Sequence, residues 1–246
     1  MERVEERRTE LARSDPSRPR HKQVIAANVD LLLVVASAAD PAPVTGLIDR
    51  FLVAGAHLGI ETALVFNKVD LDPGQTRAEI RDGYAEAGLR VLETSAAAGT
   101  GLEELKSLLK GRTTTLAGHS GVGKSSLANA LDPSLRIRTA EVQERSGKGV
   151  HTTTTASLLR LPWGGYLVDT PGIREFGLWG MEERDLGACF PEIAARAPSC
   201  RFHDCLHDKE PDCAVKAACA GGEFAGWRYD SYRTLLGEIR ESRPGY

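Results

Sequence analysis

The sequence lacks any apolar run long enough to cross a membrane. Its longest continuous apolar segment, residues 31–36, is six residues long, whereas a membrane-spanning helix requires about 20. The N-terminus is charged and carries no apolar stretch, so no secretory signal is predicted. We therefore expect a soluble, cytoplasmic protein with no membrane association, and we expect it to be a monomer.

The chain also lacks an excess of positive charge. It carries 31 Lys and Arg against 34 Asp and Glu, for a formal net charge of −3 and a pI near 6.1. A nucleic-acid partner would therefore have to meet a local basic patch. The composition, 41% hydrophobic and 26% charged with 25 Gly and 12 Pro, is that of an ordinary globular protein and excludes collagen-like, coiled-coil and low-complexity chains.

Short apolar runs alternate with helical periods along most of the chain. Between the runs, apolar residues recur at steps of three and four around residues 44–52 and in Leu102–Leu109, as in amphipathic helices. This alternation predicts an α/β fold with a mostly parallel, doubly wound sheet and helices on both faces. The predicted strands are residues 31–36, 62–66, Arg90–Glu93, Thr113–Ala117 and 166–168.

Composition divides the 246 residues into a main domain with additions at both ends. Residues 1–22 are polar and include two prolines, which predicts an arm or the remnant of another domain. Residues 23–180 hold the alternating pattern. Residues 181–246 are predicted to form a small, mainly helical second domain, because Ala-rich helical stretches and all five cysteines occur there.

A glycine-rich loop follows one strand and opens a helix. Residues 118–125 fit G-x-x-x-x-G-K-[ST], a pattern in which backbone N–H groups and the helix N-terminus point at phosphates. Lys124 would supply a mobile cation in catalysis, and Ser125 would place its hydroxyl on Mg²⁺. The predicted nucleotide-binding residues here are Gly118, His119, Ser120, Gly121, Val122, Gly123, Lys124, Ser125 and Ser126.

A second phosphate motif, Asp169-Thr170-Pro171-Gly172, ends another strand, 45 residues after Lys124. A carboxylate at a strand tip can reach Mg²⁺ through water, so Asp169 is a predicted magnesium ligand. The backbone N–H of Gly172 is predicted to meet the terminal phosphate, which makes Gly172 a candidate catalytic residue.

Asn67-Lys68-Val69-Asp70 follows a strand and has the features of a guanine reader. The carboxylate of Asp70 can accept hydrogen bonds from N1–H and the exocyclic amine of guanine, whereas adenine would leave that charge unpaired. Asn67 can bridge loop segments, and Ala96 can donate its backbone N–H to the base carbonyl. The predicted base-site residues are Asn67, Lys68, Asp70, Ser95 and Ala96.

The order of these motifs is reversed. In an ordinary GTPase the base-reading loops follow the phosphate loop, whereas here residues 67–70 and 95–96 precede Gly118. The fold still closes if the chain is circularly permuted and rejoined through the helix Leu102–Leu109. The segment after Gly172 then leads directly into the C-terminal domain, so hydrolysis is predicted to reorient that domain.

A cluster of cysteines predicts a structural metal site. Cys200, Cys205, His207 and Cys213 offer three thiolates and one imidazole within 14 residues, a set suited to tetrahedral zinc with no open position. A disulfide framework is disfavoured because the phosphate-site machinery is cytosolic and no secretion signal is found. His203 competes with His207 as the fourth ligand, and spacing alone does not decide between them.

The side chain that orients the attacking water is not in its usual place, because Ile173 stands where many GTPases have Gln. Residues 149–155 lie between the two phosphate motifs, where a mobile switch is expected. There His151 is the candidate catalytic residue that orients or deprotonates water. Thr153, or its neighbour Thr152, is the candidate to complete the Mg²⁺ shell.

Together these residues resemble the ribosome small-subunit-dependent GTPase A family, which consists of circularly permuted GTPases that assist late maturation of the small ribosomal subunit. The resemblance runs from Gln23 onward and includes residues 23–30 and 169–179 besides the motifs above. It implies a permuted GTPase domain with a C-terminal zinc domain, and Mg²⁺-dependent hydrolysis of GTP to GDP stimulated by the small subunit. It also implies that the ribosomal RNA of that subunit and assembly factors are partners.

The N-terminus departs from the family pattern. Members usually carry an N-terminal oligonucleotide-binding barrel, and residues 6–11 resemble only its last strand. An alternative function is therefore a guanine-nucleotide-dependent binding module with low turnover and no ribosome stimulation. A third interpretation, a P-loop ATPase or kinase, requires that Asp70 does not lie at the base.

Overall fold

The computed structural model describes residues 6–15, 18–71, 75–137, 157–169, 178 and 180–242. The strands in these ranges are β1 (Glu10–Asp15), β2 (Arg18–Ala27), β3 (Leu31–Ser37), β4 (Glu61–Asn67), β5 (Arg90–Glu93), β6 (Thr113–Ala117), β7 (Ser157–Arg160) and β8 (Tyr166–Asp169). The α-helices are α1 (Thr45–His57), α2 (Gln75–Glu86), α3 (Leu102–Leu109), α4 (Lys124–Leu131), α5 (Glu183–Leu186), α6 (Pro191–Ala194), α7 (Ala214–Ala220) and α8 (Gly226–Ser242).

Six strands form one sheet in the order β5-β4-β3-β6-β8-β7, in which only the β7–β8 pair is antiparallel. Each of the five predicted strands is present, which confirms the mostly parallel α/β fold. The edge strand β7 was not predicted, because three of its four residues are exposed and no apolar run marks it.

The sheet is covered on both faces, as the alternation of strands and helices predicts. Alternate residues of β3 point to opposite sides: Leu32 and Val34 pack in one cluster with Phe51 of α1, and Leu31 and Leu33 pack in another cluster with α3 and α4. Parallel strands end at one edge, so the loops after β4, β5 and β6 converge there although they are separated in sequence.

The first two strands form an antiparallel hairpin in which Glu10 lies opposite Ala27. Leu11 anchors the hairpin, because its side chain is fully buried in the same cluster as Phe51. The polar composition of residues 1–22 had not indicated strands here. The hairpin continues through the boundary between residues 22 and 23, and that boundary stays a prediction from composition.

The C-terminal region is small and mainly helical, in agreement with the predicted fold class. Its apolar cluster includes Leu186, Phe190, Tyr232 and Leu235, together with Val53 from α1. This cluster therefore continues onto the helix that covers the sheet. Among the described residues, no helix has the length and apolar character needed to cross a membrane.

Candidate functional site

The phosphate loop connects β6 to α4, and glycine is required where the loop passes other segments. Gly118 has φ of 143°, and a Cβ atom on it would lie 2.1 Å from the carbonyl oxygen of Val35. Gly123 has φ of 90°, and a Cβ atom there would lie 2.4 Å from Nδ2 of Asn67. The phosphate loop therefore packs directly against Asn67, one of the residues predicted to bind the guanine base.

Lys124 begins α4 and folds over the loop. Its Nζ donates to the carbonyl oxygens of Gly118 at 2.8 Å and His119 at 2.7 Å. Ser125, half-buried, and Ser126, exposed, follow in the first turn. The helix N-terminus therefore presents backbone N–H groups, an ammonium group and two hydroxyl groups around the loop, a combination suited to phosphate.

Asn67 is the link between the phosphate loop and the base-reading loops. Its side chain is almost fully buried, with 1% exposed. Its Nδ2 donates to the carbonyl oxygen of Val122 at 3.0 Å, and its Oδ1 accepts from the backbone N–H of Ala96 at 3.2 Å and from Oγ1 of Thr94 at 3.3 Å. One amide at the end of β4 thus bonds groups of two other loops, which shows that these segments, reversed in sequence, meet in space.

The rest of the base-reading loops are arranged around this link. Ser95 is buried, and its Oγ accepts from the backbone N–H of Ala98 at 2.9 Å, which closes the turn. Lys68 adopts a left-handed backbone with φ of 64°, and its Nζ donates to the carbonyl oxygen of Asp40 at 2.6 Å. Asp70 is exposed in a short 3-10 helix, so its carboxylate is open to a ligand.

A small apolar cavity of about 60 Å³ lies between the phosphate loop and α1. Gly118, His119 and Val122 line it from the loop, and Leu47 and Ile48 line it from α1. The loop and the first half of α1 therefore share an apolar contact region.

Several predicted residues cannot be placed in this way. Asp169 is the last residue of β8, which pairs with β6, so its backbone lies at the edge where the phosphate loop begins. His151, Thr152, Thr153 and Gly172 lie outside the described residues, and their roles stay predictions.

The predicted metal ligands come together in the C-terminal region. The ligand atoms of Cys200, Cys205, His207 and Cys213 all lie within 4.8 Å of one another. Nδ1 of His207 lies 3.5 Å from the Sγ atoms of both Cys200 and Cys213, and those two sulfur atoms are 3.9 Å apart. His203 is exposed, so the geometry selects His207 as the fourth member.

The loop that carries His207 is held by groups that spacing had not indicated. Glu210 accepts from the backbone N–H of Leu206 at 3.0 Å and of Asp208 at 2.9 Å. Tyr229 of α8 donates its hydroxyl to the carbonyl oxygen of His207 at 2.7 Å. Burial lowers the pKa of His207, which favours the neutral imidazole that a metal ion requires.

Comparison with known proteins agrees with this geometry. The family model of the RsgA GTPase matches residues 4–179. A relative from Gemmatimonas aurantiaca, named small ribosomal subunit biogenesis GTPase RsgA, is 43% identical over 236 residues, which cover 96% of this chain and 77% of the relative. Among solved structures, YjeQ from Thermotoga maritima aligns with a TM-score of 0.79 at 37% identity, over 98% of this chain and 79% of that one. The structure of YloQ, a circularly permuted GTPase, aligns with a TM-score of 0.77 at 34% identity, over 99% of this chain and 76% of that one.

The permuted fold and the GTPase class that the motifs predict are confirmed by these matches. This chain belongs to the RsgA GTPase family.

Proposed function

We propose that this chain is a switch that hydrolyses GTP to GDP and phosphate with Mg²⁺ during late maturation of the small ribosomal subunit. The observation that carries the nucleotide part is the buried Asn67, whose amide joins the phosphate loop to the base-reading loop. The ribosomal part is supported by the relative named for biogenesis of that subunit. The proposed partners are accordingly GTP and GDP, the small subunit with its rRNA, and assembly factors.

Phosphate binding is assigned to residues 118–126. Lys124 is already positioned over the loop by its two carbonyl contacts. A bound nucleotide would offer phosphate oxygens in the same space, and a charge-assisted hydrogen bond to phosphate is stronger than one to a neutral carbonyl. Lys124 therefore exchanges carbonyl partners for phosphate without a large movement.

The proposed magnesium donors suit a hard cation, because they are hydroxyl and carboxylate oxygens. Ser125 lies in the first turn of α4, and the backbone of Asp169 lies on the neighbouring strand. Mg²⁺ bound with the nucleotide would neutralise negative charge on the last two phosphates. Thr153 is proposed as a further oxygen donor from residues that the structure does not describe.

Orientation of the attacking water is assigned to His151, because Ile173 cannot accept or donate a proton. Gly172 is proposed to donate its backbone N–H to the terminal phosphate. His151→Ala is expected to slow hydrolysis by about 100-fold or more with little change in GDP affinity. Hydrolysis at the wild-type rate by this variant would remove His151 from the mechanism.

Guanine selectivity is assigned to Asp70, whose exposed carboxylate follows the buried Asn67. Asp70→Asn exchanges an acceptor for a donor, so we expect binding to shift from GDP toward XDP. Competition of each nucleotide against a fluorescent GDP analogue measures this shift. Asp82→Asn, at an exposed aspartate on α2, is the matched control and should keep the preference for guanine. Undiminished preference for GDP in Asp70→Asn would contradict a guanine site at this loop.

The four-residue cysteine and histidine cluster is proposed to hold one structural zinc ion. Tetrahedral zinc, with Zn–S near 2.3 Å, places two thiolates about 3.8 Å apart and a thiolate and an imidazole nitrogen about 3.6 Å apart. The distances of 3.9 and 3.5 Å fit these values. Four protein ligands leave no open position, so the ion would stabilise the C-terminal region and would be coupled to hydrolysis only through the fold.

A further inference from the structure

A buried arginine joins the helix that covers the sheet to the C-terminal helices. The side chain of Arg228 in α8 is 2% exposed, and those of Asp49 and Glu192 are 0% and 3% exposed. Arg228 donates through Nη1 to Asp49 of α1. It donates through Nε and Nη2 to the two carboxylate oxygens of Glu192 in α6, at 2.6 and 3.2 Å. We call these three residues the arginine joint.

Aromatic rings enclose the guanidinium of the joint. Its Cζ lies 4.6 Å from the ring centre of Phe190 and 5.1 Å from that of Tyr84 in α2. A planar group held by a bidentate carboxylate and by rings has one orientation. The joint therefore fixes the angle between the helices that it connects, and losing one partner would leave a buried charge uncompensated.

One side of the joint leads to the phosphate loop. Asp49 follows directly after Leu47 and Ile48, which line the cavity shared with Gly118 and Val122. Further along the same helix, Val53 packs in the C-terminal cluster. A shift in the position of the phosphate loop would therefore be passed through this cavity lining to the turn of α1 that carries Asp49.

The other side of the joint leads to the metal cluster. Tyr229, the residue after Arg228, donates to the carbonyl oxygen of His207 at 2.7 Å. Tyr232, one turn later, donates to the carbonyl oxygen of Leu206 at 2.6 Å. One turn of α8 thus holds both the joint and the loop of residues 205–213, which we call the cysteine loop.

We propose that the arginine joint couples occupancy of the nucleotide site to the order of the cysteine loop, with Arg228 as the positioning residue. The proposal rests on the function proposed above, because it takes GDP as the ligand. Coupling of this kind is reciprocal: nucleotide binding that orders the cysteine loop requires that an ordered loop tighten nucleotide binding by the same factor.

The test is amide hydrogen exchange of the metal-loaded full chain with and without Mg²⁺ and GDP, followed in peptides that cover residues 200–213. In the wild type we expect GDP to slow exchange of this segment by about fivefold or more. Arg228→Lys keeps the charge but not the bidentate geometry, so the GDP-dependent slowing should disappear. Its GDP affinity should fall by no more than the coupling factor, and its metal content should stay at one ion per chain.

Two further variants make the result decisive. Arg50→Gln removes the ion pair of α1 with Glu238 of α8 and leaves both the joint and the cysteine loop in place, so it should respond to GDP as the wild type does. Asp49→Asn weakens the joint from the side of α1 and should lose the response. If Arg228→Lys loses its metal, Asp49→Asn takes its place in the comparison with the wild type.

The outcomes separate the two proposals. A wild type that binds GDP without any change in the cysteine loop, or an Arg228→Lys variant that keeps the full change, would overturn the coupling and leave the nucleotide site intact. A wild type that does not bind GDP would instead overturn the proposed function.

Discussion

The sheet and the C-terminal region of this protein are ordered by different means. The sheet is covered on both faces by apolar clusters, and all seven residues of β3 are buried. In the C-terminal region, α5 and α6 have only four residues each, and its cluster is completed by cysteines of the proposed metal site. In the sheet, general apolar packing therefore positions the functional loops, whereas in the C-terminal region a few specific contacts do so. The two regions should respond differently when single residues are changed.

The largest effect is expected from loss of the metal. Cys213→Ser removes a proposed metal ligand that is 5% exposed, and structural zinc contributes on the order of 10 kcal/mol in small zinc domains. We expect residues 181–242 to lose most of their protection from hydrogen exchange while the sheet keeps its own. GDP binding should persist, with its affinity lowered by no more than the factor by which an ordered cysteine loop tightens it.

Cys189→Ser is the control for this experiment, because Cys189 lies outside the metal cluster. It should retain the metal and the exchange pattern of the wild type. Unchanged protection of the C-terminal region in Cys213→Ser would contradict a structural metal.

A loss of intermediate size is expected when the hydrogen bonds that join the nucleotide-binding loops are removed. Asn67→Ala leaves the carbonyl oxygen of Val122 and the N–H of Ala96 without their partner, and an unsatisfied buried polar group costs about 1–3 kcal/mol. We expect GDP affinity to fall by about 100-fold while the metal content is unchanged, measured by calorimetry and metal analysis.

Asn129→Ala is the matched control for that result. Asn129 also makes two hydrogen bonds to backbone groups, both with Ile137, but it does not contact the base-reading loops. It should lower stability with little effect on GDP affinity. Equal loss of affinity in both variants would mean that Asn67 acts only through general stability.

The smallest effect is expected from the two ion pairs that Arg240 makes with its partly exposed side chain. Arg240 is 38% exposed and contacts Glu183 and Asp208, and its hydrogen bond holds the pKa of Asp208 below the usual value. Exposed pairs contribute about 1 kcal/mol or less, so Arg240→Gln should lower Tm by no more than about 4 °C. A larger loss would show that surface charges, and not the metal and the arginine joint, hold this region together.

The sequence predicted the features that are local in the chain. The strands β3 and β4 were found because each contains a continuous apolar run, and the phosphate loop was found because its residues are adjacent. Composition did not indicate the hairpin β1–β2, because its residues are mostly polar, and only the family resemblance of residues 6–11 pointed to a strand here. Its anchor is Leu11, which is fully buried. Cys200, Cys205, His207 and Cys213 were found as neighbours, and burial then separated His207 from His203.

The contacts between distant residues could not be predicted. Arg228 and Asp49 are 179 positions apart, and nothing in either local sequence marks them as partners. The same holds for Lys68, which reaches the carbonyl oxygen of Asp40. These interactions depend on how the helices pack on the sheet, which periodicity does not specify.

GTP hydrolysis by the metal-loaded chain, measured alone, with small ribosomal subunits and with large ribosomal subunits, tests whether this protein is a switch that acts on the small subunit. The rate of phosphate release is expected to rise with small subunits and to stay at the basal value with large ones. Equal rates in all three conditions would contradict a switch that acts on the small subunit, and would instead support a guanine-nucleotide-binding module of low turnover.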